Sequence, residues 1–170
     1  MPKGLKQTSS MIVIGAQTIE DVAGTLKTEQ ISLQLNALDN EVFVVTAVDI
    51  DPQLPEQDAG ALTTNTAWVT KQSPQGVRPT YNQSNVIANK ALAQDNRGGD
   101  GFTLFQTASI ETPATTMQYL DIIATPDFFL NVQGSGNAGV MGVACKVYGY
   151  RARADASTYA ALVQSEVLSS

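Results

Sequence analysis

Asp127-Phe-Phe-Leu-Asn-Val-Gln133 runs through Gly134-Ser-Gly-Asn-Ala-Gly139 into Val140-Met-Gly-Val-Ala-Cys-Lys-Val-Tyr-Gly-Tyr150. Two apolar runs rich in β-branched and aromatic residues flank a glycine-dense connection, which is the written form of an antiparallel hairpin. Gly134, Gly136 and Gly139 also match the G-x-G-x-x-G spacing of a dinucleotide loop. No helix follows to aim its N-terminus at a phosphate, so a hairpin loop is the expected role.

Working outward, the same vocabulary recurs. Ile31, Leu33 and Leu35 alternate with Ser32, Gln34 and Asn36, a period of two that marks a half-buried strand. Asp39-Asn40 makes a turn into the more apolar run from Glu41 to Ile50, and the two runs together predict a second hairpin. Thr66–Thr70, Phe102–Phe105 and Tyr119–Ala124 read as further strands, and Met11–Ile14 as a short one. Between Gly15 and Lys27, Ile19, Val22 and Leu26 fit helical spacing, but Gly15 and Gly24 weaken a helix there. Asn85–Ala88 predicts a weak strand or a short helix, while Ser73-Pro-Gln-Gly76 and Asp95–Gly101 are turns.

Eight to nine strands, no alternating helical pattern and Gly/Pro-marked loops predict an all-β, antiparallel sandwich or jelly roll with a short C-terminal helix. An immunoglobulin-like strand order fits the pattern equally well. The helix is expected over 155–168, with Tyr159, Leu162, Val163 and Val167 on one face and Asp155 or Ser157 as its cap. The expected organisation is an N-terminal arm with a first short strand over 1–28, the sandwich over 29–153, and the helix and tail over 154–170. Residues 1–10 of that arm read as loose.

Composition narrows the function. Charged residues make up 15% of the chain, against roughly 25% in ordinary soluble domains. Gln, Asn, Thr and Ser stand in their place, giving a surface that needs little charge desolvation to meet another protein. The formal net charge is −6, and no Lys or Arg occurs between Lys27 and Lys71, a stretch that holds seven acids. Direct nucleic-acid binding is therefore not expected, because it needs a clustered basic footprint. No secretory leader is visible, and no run approaches the ~20 apolar residues of a membrane helix.

Histidine is absent, which removes the Ser-His-Asp triad, the Cys-His dyad and imidazole metal sites. A Ser-Lys or paired-carboxylate site stays open in principle, but no residue pattern supports one, and the chain is expected not to be an enzyme. The single Cys145 lies inside an apolar strand and is expected to be a buried, inert thiol. Asp49 and Asp51 alternate on a strand end and so share one side. With Asp58, or Glu56, from the following loop they could form an oxygen-ligand calcium site. The plainer expectation is a pair of solvated carboxylates, and no other cofactor is implied.

The succession of short strands over 29–153, the long polar loops at 51–64 and 71–100, and the closing runs 127–133 and 140–153 resemble single jelly-roll coat proteins. These form the shells of non-enveloped icosahedral viruses, including those of bacteria and archaea. The resemblance implies a structural protein of the virion, self-assembled in the host cytoplasm from copies of itself and in some cases a second capsid protein. The arm at 1–10 and the helix at 155–168 would then clamp neighbouring subunits. Phe128, Phe129 and Tyr148 would lie in the core or at its rim. The basic arm of many RNA-virus coats has no counterpart here. The competing expectation is a carbohydrate- or receptor-binding sandwich of a fibre or tail, which would expose Trp68, Tyr81 or Tyr119.

Overall fold

Strand pairing in this protein is nested. In the computed structural model, which describes residues 4–98 and 101–168, the described residues form ten strands and one α-helix. The strands are β1 (Leu5–Gln7), β2 (Ile12–Ile19), β3 (Lys27–Ser32), β4 (Glu41–Pro52), β5 (Leu62–Thr70), β6 (Val86–Asp95), β7 (Thr103–Ala108), β8 (Asp121–Ile123), β9 (Asp127–Ser135) and β10 (Gly142–Ala154). The helix α1 spans Ala156–Leu168. β5 pairs with β6, β4 with β8, β3 with β9 and β2 with β10, all antiparallel. The chain is thus a long doubled ribbon, and the additional pairs β4–β10 and β5–β9 roll it into two facing sheets. That is a jelly roll, and it excludes the immunoglobulin-like order.

The two sequence-predicted hairpins are corrected by this topology. β9 lies in the sheet β3-β9-β5-β6-β7, whereas β10 lies in the other sheet, between β4 on one side and β1 and β2 on the other. β3 and β4 are likewise in opposite sheets. Each connection crosses the sandwich. The reason is that period-two burial records only that one face of a strand is covered, and a strand facing its sequence neighbour across a core looks the same as one beside it.

Residues 5–7, expected to be loose, form β1 and pair with Ala152–Ala154 of β10. Residues 1–3 lie outside the described residues, as do Gly99 and Asp100 of the turn after β6. The ambiguous stretch from Gly15 resolves as strand through Ile19, its side chains alternating half-buried and exposed. Of Asn85–Ala88, the last three residues open the ten-residue β6, and Asn85 lies just before it.

The inter-sheet core contains Phe43, Val45, Val48, Ile50, Val69, Phe128, Leu130, Val132, Cys145 and Val147. Complete burial of each such side chain stabilises the fold by about 1.5–3 kcal/mol. In β4 the inward residues change from odd to even numbers. The register explains the change: Ala47 pairs with Tyr148 and Val45 with Gly149, so Thr46 is an extra residue, a bulge. Its hydroxyl donates to the Tyr148 carbonyl at 3.1 Å. At Gly149 a Cβ would stand 2.3 Å from the Val44 carbonyl oxygen and 2.6 Å from the Phe43 ring. Only glycine lets the two strands and that ring meet.

Because Phe43 and Val45 face inward, Val42 and Val44 face out. With Leu5, Ile122, Ala124, Ala152 and Ala154 they form a second core, covered by Tyr159, Leu162 and Val163 of α1. Asp155 caps the helix, its Oδ1 accepting from the Thr158 N–H at 2.7 Å. The same residue's N–H donates to the Gly4 carbonyl at 2.9 Å, tying the helix start to the chain's beginning. Val167, expected on the apolar face, is 59% exposed. Glu166 turns inward instead, since its carboxylate oxygens accept from the Ala124 and Thr125 N–H groups at 2.8 and 3.0 Å, just past the end of β8.

Candidate functional site

Asp49 and Asp51 sit where their alternation places them, exposed on the outer face of β4. Cross-strand, Asp49 faces Lys146 of β10, and Lys146 faces Gly15 of β2. No side chain fills the space above Gly15, so a shallow depression of about 570 Å³ opens between Asp49, Asp51, Lys146 and Gln17. A second hollow of about 670 Å³ adjoins it, lined in part by Ile19, Asp51, Gln53 and Leu54. The joined groove therefore runs from a charged end to an apolar one. Asp58 lies in the next loop, its carbonyl accepting from Ala61 and Asn96. Among the described residues no group of three or more Asp, Glu, Cys or His side chains is placed to hold a metal ion.

Glu56, the alternative acid, is committed elsewhere. Its carboxylate accepts from the Ala138 and Gly139 N–H groups at 2.7 and 3.2 Å, while its own N–H donates to the Asn137 side chain at 2.9 Å. Glu20, buried, accepts from Gly134 at 2.7 Å and from Met141 at 2.8 Å. The glycine-dense stretch is thus a crossing between sheets held by two carboxylates, with no free amides for a phosphate at Gly134 or Gly139. At Gly136 the φ of 76° and the approach of the Leu62 carbonyl, 2.5 Å from a would-be Cβ, demand glycine.

Cys145 is buried among the core side chains next to the depression. Burial, and to a smaller degree the charge on Asp49, push its thiol up to about 11, against the pull of a backbone hydrogen bond from Ala16. It is therefore a packing residue, as expected for its position.

Trp68 is only 2% exposed, but it lies outside the inter-sheet core. It projects from the outer face of β5, opposite the inward Ala67 and Val69, and the Arg78 guanidinium covers it at 5.2 Å from the ring centroid. Beside it the fully buried Asn131 donates to the Thr70 hydroxyl at 3.0 Å and accepts from Thr28 at 2.8 Å. Tyr119 is half-buried, and Tyr81 is 60% exposed. Phe128 is core, while Phe129 and Tyr148 are half-buried.

The feature missed from the sequence is the rim at β7. One sheet has four columns, because β1 and β2 both run along β10, and the other has five. The fifth, β7, overhangs, and all six of its residues are exposed. Leu104 and Phe105 point to opposite faces at 47% and 53% exposure, flanked by Phe102 and Ile110, both also exposed. From Phe102 to Ile110 there is no ionisable residue. The sequence signal was available as an apolar, uncharged run following a strong turn, but the run does not reveal which strand lacks a cover.

A second unforeseen cluster lies beneath α1. Lys71 donates to Asp121 at 3.1 Å, with both side chains largely buried, beside Glu166 and Tyr119. Burial holds the Asp121 and Glu166 carboxyls above their ordinary range, opposed by the Lys71 charge and by backbone N–H donors.

No protein-family model and no curated protein match the chain. Among solved structures it is similar to Merkel cell polyomavirus VP1 in complex with GD1a oligosaccharide, at 8% identity and a TM-score of 0.43, over 88% of this chain and 97% of that one. Chimpanzee polyomavirus VP1 in its apo form gives 6% and 0.39, over 91% and 97%. Desmodium yellow mottle tymovirus gives 12% and 0.33, over 92% and 96%. All three come from viruses. The nested strand order by itself establishes the jelly roll.

Proposed function

We propose that this chain is a structural coat subunit whose copies associate laterally into a closed icosahedral shell, and that its place is the virion. The observation that carries the proposal is the overhanging β7, which leaves apolar side chains in water on both of its faces. A monomeric protein normally blunts such an edge with charge, proline or a cover, because it templates association. Met11, Val13, Ile19 and Leu54 add exposed apolar surface on the outer face of the other sheet, on the part that α1 does not cover. Two separate association surfaces are what a growing assembly needs, since one self-complementary contact alone closes as a dimer. The low charge of the whole chain fits the same role. Each contact is weak, and many copies together hold.

The test is the mass and shape of the purified full chain, by light scattering and negative-stain imaging over a range of protein concentration, salt and calcium. Closed particles or discrete rings of many copies are expected. A monomer under every condition would overturn the proposal.

A further inference from the structure

The geometry points to a specific contact: β7 pairs edge to edge with β7 of a second copy around a two-fold axis, joining two five-stranded sheets into one of ten strands. The inference rests on the coat-subunit reading and supplies one of the contacts it requires.

Three observations lead to it. First, among the described residues β7 pairs only with β6, through Thr103–Ala108, so its other edge presents backbone N–H and C=O groups without ladder partners. Second, the free edges at β3 and β8 carry devices against pairing, and the β1–β2 edge is discontinuous although β2 itself bears no charge. β3 bears Glu29 and Lys27, the latter paired with Asp21 at 2.8 Å. β8 is three residues long and begins with Asp121, and the β1–β2 column is broken between Gln7 and Ile12. β7 has no charge, no proline and no bulge in its pairing. Third, each copy carries a net charge of −6. Like meeting like is repulsive wherever acids face each other, so a self-contact belongs where ionisable groups are missing. The nearest carboxylate on β6, Asp95, is already held by Arg97 at 2.6 Å.

The faces select the register. For two sheets to continue into one, side chains paired across a two-fold must share a face, so residue numbers in each pair sum to an even value. Centring the axis on Phe105 sets the two Phe105 rings against each other on the outer face and pairs Thr103 with Thr107 of the second copy. Leu104 then lies opposite Gln106 on the inner face. Aromatic and Thr–Thr cross-strand pairs are among the favourable ones in antiparallel sheets.

Site-directed cross-linking on the full chain tests this. In the pairing described, Cα atoms of opposed residues lie about 4.5–5.5 Å apart, within reach of a disulfide. Two residues at position 103 would be about 14 Å apart, four positions out of register. Under mild oxidation Phe105→Cys is expected to become a covalent dimer on a non-reducing gel, while Thr103→Cys stays monomeric. Cys145, buried, does not compete. A second variant, Phe105→Lys, alters an exposed side chain and is expected to keep the wild-type melting temperature while losing the dimer in sedimentation. If wild type assembles but Phe105→Cys does not cross-link, or if Phe105→Lys dimerises as wild type does, the β7 contact is wrong and the coat reading survives. Equal cross-linking at 103 and 105 would also overturn it. A wild-type chain that stays monomeric at every concentration overturns both.

Discussion

Replacing Glu20 by alanine should be among the most damaging single changes that leave the hydrophobic core untouched. The carboxylate is buried and accepts the Gly134 and Met141 N–H groups at 2.7 and 2.8 Å, while the Glu20 backbone N–H donates to the Met141 carbonyl at 3.0 Å. Truncation leaves two buried donors without an acceptor. Each such orphan costs about 1–3 kcal/mol, and hydrogen bonds to a charged group lie toward the upper end. The sum is about 3–5 kcal/mol, a large part of the 5–15 kcal/mol that holds a typical domain folded. For a chain of this length it corresponds to a fall in Tm of roughly 6–20 °C. Equilibrium urea unfolding, followed by Trp68 fluorescence, measures it directly. Glu20→Gln should lose about half as much, because one oxygen remains and the new NH2 faces an N–H it cannot accept from. A loss below about 1 kcal/mol for Glu20→Ala would refute the reasoning, since water would then be replacing the carboxylate at no great cost.

Other expectations follow from the same structure. Gly149→Ala drives a methyl into the Val44 carbonyl and the Phe43 ring and should destabilise by about 3 kcal/mol, read from the urea midpoint; an unchanged midpoint would mean the β4–β10 bulge relaxes freely. The raised carboxyls of Glu166 and Asp121 bind protons more readily folded than unfolded, so their burial penalty is complete above their folded pKa values and fades as pH falls toward the ordinary 4.5 and 3.8. Docking of α1 should therefore tighten on acidification. Hydrogen exchange at Ala124 and Thr125, corrected for its intrinsic pH dependence, should show rising protection toward acid in wild type and a flatter profile in Glu166→Gln; equal profiles would remove the two carboxyls from the account. Cys145, with its thiol near 11, should resist a thiol reagent at mildly alkaline pH and react fully once unfolded. Rapid labelling of native protein would contradict its burial.

Much of the fold was legible because burial writes itself into residue order. The runs 41–50, 66–70 and 127–133 are strands, and the tail from 155 is a helix capped by Asp155. Pairing was not legible. The partners of β4 are β10 and β8, far along the chain, and the alternation of Val and Phe in β4 is the same whichever strand lies beside it. Nor does alternation foresee that the bulge at Thr46 switches the inward set. Asp49 and Asp51 were correctly placed on one side of a strand, since strand geometry alone decides that. The position of Asp58 depended on how a proline-containing loop folds, which residue order does not state. Glu166 was hidden for a different reason. A carboxylate on a short helix reads as solvated, and only the two backbone donors beyond β8 give it cause to turn inward.

β4 and β10 form a common wall, with Phe43, Val48 and Val147 facing one core and Val42, Val44 and Ala152 facing the other. That wall joins residues about 100 positions apart in the chain, and closing so long a loop is slow and entropically expensive. Until it closes, α1 has no surface to dock on, and a helix of this length is marginal alone. Sandwich and helix should therefore form in one cooperative step. A subunit still waiting for β10 would be without its tail helix, so newly made chains should be late to acquire a form that their neighbours can recognise.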